Sequence, residues 1–148
     1  MKIYLAARYS KHPEMRERAE ELRKLGYTVQ ARWINGGHGI SYDAITPLDR
    51  QRFAEEDLED LATCDCIVSF TEKPGTAVRG GGRHFEAGYA FCAGIRNIVV
   101  GYREHVFHNL EDIEFYSTWE ECLAELAREA EAIRNGDLEE AKRWAPTL

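Results

Sequence analysis

Residues 66–101, CIVSFTEKPGTAVRGGGRHFEAGYAFCAGIRNIVVG, decide the fold. The stretch opens on Cys66-Ile67-Val68-Ser69-Phe70, too short an apolar run for a helix and continuous enough for a strand buried on both faces. Gly80-Gly81-Gly82 then leads into Phe85, Gly88, Tyr89, Phe91 and Cys92, which read as a helix closed by Gly94. Ile98-Val99-Val100-Gly101 is the next strand. Strand, helix and strand in this order predict a parallel crossover unit.

The same alternation continues on both sides. Towards the N-terminus, Ile3-Tyr4-Leu5-Ala6-Ala7 reads as a buried strand. Pro13 fits an early helix position, Met15, Ala19, Leu22 and Leu25 recur at helical spacing, and Gly26 stops that helix. Tyr27 to Trp33 is rich in β-formers and predicts strand two. After a polar loop with Gly36-Gly37-His38-Gly39 and Pro47, a helix from Asp49 to Thr63 is expected to line one side with Phe53, Leu58, Leu61 and Ala62. Towards the C-terminus, Ile113-Glu114-Phe115-Tyr116 is a short fifth strand. Thr118 and Glu121 have capping-box spacing ahead of a helix carrying Trp119, Leu123, Leu126, Ala130 and Ile133, which stops near Asn135-Gly136. Residues 1–135 are expected to form one domain, and 136–148 a C-terminal tail with room for a short helix.

Strands alternating with helices imply an α/β three-layer fold of flavodoxin-like or Rossmann-like type. Five strands suggest a parallel sheet in the order 2-1-3-4-5. The topological switch then lies between strands one and three, and a ligand belongs beyond their carboxyl ends. Those ends are Ala7-Arg8-Tyr9-Ser10 and Thr71-Glu72, followed by the glycine loop.

Composition narrows the class. A chain of 148 residues suits one domain, and a net charge of −7 with mixed signs argues against a dedicated surface for a nucleic acid polymer. No long apolar stretch predicts a membrane span or a signal peptide, so a cytoplasmic protein is expected. The four cysteines include Cys64 and Cys66 around Asp65, without a second such pair. Reduced thiols and neither metal nor cofactor are expected from them. His105 and His108 lie in a loop without a matching third ligand and read as surface.

The segment from Arg79 to Ala90 is the richest in chemistry. Gly80, Gly81 and Gly82 before a helix let the backbone approach a ligand, and free N–H groups there suit an anion; a plain surface loop is the alternative. Arg79 and Arg83 can add charged hydrogen bonds to a phosphate. Glu86 is expected in the first helical turn, held ionised by the helix dipole, as a nucleophile or an electrostatic stabiliser, or else as an ordinary helix-start glutamate. Glycosidic chemistry needs a second carboxyl. Asp57 and Asp49 lie on the helix before strand three, Asp65 reads as a turn residue, and Glu55, Glu56 and Glu59 read as a solvated face. Trp33 can stack on a base or pack in the core, and His84 is either a ligand donor or an exposed helix-start residue.

Tyr4, Asp57 within Glu56-Asp57-Leu58-Glu59-Asp60-Leu61, and Gly82-Arg83-His84-Phe85-Glu86-Ala87-Gly88-Tyr89-Ala90 together resemble the nucleoside 2-deoxyribosyltransferase superfamily, which includes 2′-deoxynucleoside 5′-monophosphate N-glycosidases. The resemblance runs from about Met1 to Val100. It implies that Glu86 attacks C1′ of the sugar, that Tyr4 positions its carboxylate, and that Asp57 binds the sugar or assists departure of the base. Arg8 and Ser10 match a segment that holds the 5′-phosphate in the monophosphate hydrolases. Arg83-His84 depart from the small or acidic residues that often precede the glutamate. The implied partner is a small nucleoside or nucleotide, and the implied assembly a homodimer or larger. Hydrolysis and transfer to another base both remain open, and a non-catalytic nucleotide-sensing module is the alternative. A response-regulator reading fails, because strand one lacks the acidic pair and strand three lacks the phosphoacceptor aspartate.

Overall fold

The computed structural model of the chain describes residues 1–36, 44–76, 81–137 and 139. Its strands are β1 (Lys2–Ala6), β2 (Thr28–Val29), β3 (Cys66–Phe70), β4 (Arg96–Val100) and β5 (Ile113–Tyr116). Its helices are α1 (His12–Lys24), α2 (Pro47–Ala62), α3 (Gly82–Cys92) and α4 (Trp119–Arg134). All strand pairs are parallel, in the order β2-β1-β3-β4-β5. The expected sheet order therefore holds, and β3, buried along its whole length, is its centre.

Register fixes which side chains face which layer. Tyr4 pairs with Ile67 and Ala6 with Ser69, so these four share one face of the sheet. Tyr4 reaches α3 on that face. Phe70, of opposite parity to Ile67, meets Trp119 of α4 at a ring distance of 5.4 Å on the other face. Trp119 in turn donates its indole N–H to Glu21 of α1 at 2.8 Å, which joins the two helices of that layer. Both long C-terminal signals are observed: Thr118 and Glu121 form a reciprocal capping box, and Gly26, Gly94 and Gly136 adopt left-handed conformations just after α1, α3 and α4.

Strand two is much shorter than its composition suggests. The chain leaves the sheet after Val29, and Arg32–Asn35 forms a 3-10 turn. Buried Asp60 of α2 accepts from the Arg32 backbone N–H at 2.7 Å and from Arg32 Nε at 3.0 Å. Trp33 donates its indole N–H to the Leu5 carbonyl at 2.8 Å. Aromatic and β-branched residues thus serve a buried turn, whose polar groups find partners on a helix instead of a neighbouring strand. On α2 the inward residues are Asp60 and Leu61, whereas Ala62 is exposed. On α4 Ile133 is exposed, while Cys122 and Glu129 are buried beside Leu126. Glu129 is tolerated there because Arg96, at the start of β4, binds both Glu129 and Glu114 with two hydrogen bonds each. No helix among the described residues is long and apolar enough to cross a membrane. The tail from residue 138 lies outside the described residues apart from Glu139.

Candidate active site

The Tyr4 hydroxyl donates to Glu86 Oε1 at 2.8 Å. Tyr4 is fully buried in β1, so its ring is fixed by packing and its hydroxyl by geometry. Burial, the nearby Glu86 and Asp57 charges and the bond to Glu86 all raise the affinity of Tyr4 for its proton, so it stays a donor.

Glu86 departs from expectation in one respect. The N-cap of α3 is Gly81 and its first turn holds no acidic residue, so Glu86 lies in the second turn, beyond the strongest influence of the dipole. Burial pushes its carboxyl up to about 7; the Tyr4 bond acts in the opposite sense, and Asp57 adds to the rise. The carboxyl is therefore poised between its two forms near neutral pH and is not held firmly ionised. Asp57, on α2, is pushed up to about 6, first by burial and then by the charges of Asp60 and Glu56, against the pull of Arg32. Tyr4, Glu86 and Asp57 thus form one electrostatically connected group.

The other carboxylates have structural partners. Asp49 closes a capping box with Thr46 at the start of α2. Asp65 accepts from the Lys2 backbone N–H at 2.6 Å. Trp33 is buried in the core and holds Leu5 through its indole N–H, which settles its two readings in favour of packing.

At the carboxyl end of β1, Arg8 Nε donates to Ser10 Oγ at 2.7 Å, and a terminal nitrogen of Arg8 lies 3.9 Å from Glu72. Lys11, which the sequence reading passed over, lies 3.3 Å from Glu72, a buried residue just after β3. Two cations against one carboxylate leave this corner of the switch point with a positive excess.

Arg83 does not face the crevice as a free cation. It is buried, and both terminal nitrogens bind Glu104, one at 2.7 Å and the other as an unusually short contact. Glu104 also accepts the Glu72 backbone N–H at 2.9 Å. Arg83, expected to meet a phosphate, thus has a carboxylate partner of its own: a buried guanidinium takes the nearest carboxylate, and Glu104 is twenty-one positions away in sequence, invisible to a local reading. Gly81 and Gly82 are exposed, and a Cβ on either would touch nothing among the described residues. No side chain caps α3 at Gly81, which leaves backbone donors open to a ligand. Arg79 and Gly80 lie outside the described residues.

His84, in the first turn of α3, meets the segment after β4. Its ring packs edge-on against His105 at 5.0 Å, and His105 lies 3.7 Å from the ring of His108. The surface reading of these histidines is corrected: His108 is buried, and His84 supplies the third ring that spacing alone did not reveal. Burial pushes His108 down to about 4. The His105-x-x-His108 spacing was the available signal.

Neither a protein-family model nor a curated protein matches the chain. Solved structures do. A 2-deoxyribosyltransferase from Bacillus psychrosaccharolyticus superposes with a TM-score of 0.65 at 18% identity, over 85% of this chain and 96% of that one. A CMP N-glycosidase from Clostridium botulinum gives 0.55 at 18% identity, over 85% and 98%. A conserved protein from Enterococcus faecalis gives 0.60 at 17% identity, over 86% and 98%. The chain is therefore similar in fold to a 2-deoxyribosyltransferase and a CMP N-glycosidase, in agreement with the superfamily that Tyr4, Asp57 and residues 82–90 resemble.

Proposed function

We propose that this chain breaks the N-glycosidic bond of a nucleoside or nucleoside 5′-monophosphate and passes the sugar to water or to a second base. The observation that carries the reading is the Tyr4–Glu86 hydrogen bond with the Asp57 carboxyl beside it. Ionised Glu86 attacks C1′ with the oxygen that Tyr4 leaves free. The C1′–N bond breaks, and its electron pair leaves with the base. Asp57, whose affinity for a proton is raised, supplies that proton to the leaving nitrogen. Water or a second base then attacks C1′, gives its proton to the Asp57 carboxylate left by the first step, and releases the Glu86 carboxylate. Two carboxyl groups in these roles are the usual equipment for retaining glycosidic cleavage.

The Arg8, Ser10 and Lys11 corner suits a 5′-phosphate, in place of Arg83. The test is base release from a panel of deoxynucleosides and their 5′-monophosphates. Wild type releases base from at least one, and Glu86→Ala loses several orders of magnitude while remaining folded. Lys11→Ala lowers kcat/KM for the monophosphate by about 10–100-fold and spares the free nucleoside, as the loss of one charged hydrogen bond implies. Arg83→Ala lowers both alike. Tight binding of a nucleotide without base release would favour a sensing module instead.

A further inference from the structure

His84, His105 and His108 gather on one side of the α3 start, and the glycosidic reaction does not use them. Residues 84 and 86 are about 200° apart around the helix. The His84 ring therefore points away from the Tyr4–Glu86 pair, towards the segment after β4.

Two features of this cluster suit a cation bound by nitrogen. One ring nitrogen from each histidine lies within 4.8 Å of the other two. His105 Nε2 and His84 Nδ1 are 3.3 Å apart, which matches the edge of a tetrahedron, about 3.3–3.4 Å, around an ion with bonds of about 2.0–2.1 Å.

We propose that His84, His105 and His108 bind one divalent first-row transition ion of the zinc class. A set of neutral imidazoles selects zinc, nickel or copper over magnesium and calcium, which take oxygen ligands. Glu104 supports the set from behind. Its carboxylate lies 3.8 Å from His84 Nε2, where it favours the proton on that nitrogen and so leaves Nδ1 for the ion. Its backbone N–H donates to His108 Nδ1 at 3.1 Å and so selects the tautomer with a lone pair there. An ion that takes this lone pair replaces one backbone hydrogen bond. Because Arg83 is already neutralised by Glu104, no free cation faces the cluster from the helix. Three histidines leave a fourth position for water or for an external ligand. The bound ion would tie the segment after β4 to the start of α3, at the rim of the nucleoside crevice.

The experiment uses the untagged full chain, stripped with chelator and titrated with Co²⁺ and then Zn²⁺. Expected are one equivalent of Co²⁺ with a visible tetrahedral absorption band, its displacement by Zn²⁺, and a rise in Tm with Zn²⁺. His84→Ala and His105→Ala each weaken binding by at least about tenfold, since even the loss of a supporting partner costs that much. His84 is partly exposed, so its variant tests the site without emptying a core position. Retention of wild-type Co²⁺ affinity in both variants overturns the proposal. So does absence of binding at hundred-micromolar Co²⁺, or an intense near-ultraviolet band that places the ion on a thiolate such as exposed Cys92.

Discussion

At the scale of single residues, Glu86 ties stability to pH, and in the proposed reaction it ties activity to pH as well. Its ordinary value is 4.5, and burial pushes it up to about 7 in the folded chain. The folded state therefore holds this proton more tightly than the unfolded state. The stabilisation is fully present below about pH 4.5 and is lost as the pH rises through about 7. A shift of this size corresponds to ~3 kcal/mol. Glu86→Gln keeps an acceptor for the Tyr4 hydroxyl and has no proton to lose. The difference in Tm between this variant and wild type is expected to be small near pH 4.5 and to grow to about 6–12 °C at pH 8. Thermal melts of both proteins across that range check it; a difference that stays flat with pH would mean that Glu86 is not a strained carboxylate. The proposed reaction needs Glu86 ionised and Asp57 protonated, so its rate should pass through a maximum between about pH 6 and about pH 7 and fall on both sides.

At the scale of elements, β4 and α4 are joined by charge as well as by apolar packing. Arg96 is buried between Glu114 of β5 and Glu129 of α4, and Glu129 is almost fully enclosed. Removal of one member of such a group leaves a buried charge without compensation, which costs about 3–5 kcal/mol. Arg96→Met is therefore expected to lower stability by about that amount in chemical denaturation, with the midpoint falling and the slope unchanged. The group lies at the amino end of β4, away from Tyr4 and Glu86, so the variant should keep its kcat at temperatures where it is folded. The same scale shows where pattern reading works. Helix ends with capping boxes or left-handed glycines are local, and they fall where expected at α1, α3 and α4. Strand two is shorter than its pattern suggests because the residues from Arg32 form a turn whose hydrogen-bond partner, Asp60, lies in α2.

At the scale of the whole molecule, α3 has two unlike sides. Glu86 faces the sheet, whereas Phe85, Tyr89 and Cys92 are exposed, with Phe85 66% accessible. Residues 85, 89 and 92 share one helical face, so the exposed apolar groups form a stripe. The homo-oligomer implied by family resemblance would cover such a stripe, and a second copy there would sit beside the helix that carries Glu86. Light scattering at working concentration is expected to give a dimer or larger species. Phe85→Glu combined with Tyr89→Glu should shift it to monomer and reduce activity. A monomeric wild type with full activity would remove the assembly claim.

The sequence by itself determined the alternation of strands and helices, the sheet order and the helix ends. Each of these follows from local periodicity, from capping or from chirality rules that act over one crossover unit. It also singled out Tyr4, Asp57 and Glu86, through a resemblance, with no means of saying which groups they touch. Only the tertiary structure decided the protonation and pairing of the site. Glu86 is poised near neutrality because burial and the Asp57 charge raise its proton affinity against the opposing bond from Tyr4. Arg83 is committed to Glu104, and three histidines from two distant segments share one corner. These facts depend on burial and on distances between residues far apart in the chain. A proton affinity or an ion pair is set by the medium and by neighbours in space, and neither is written in local order.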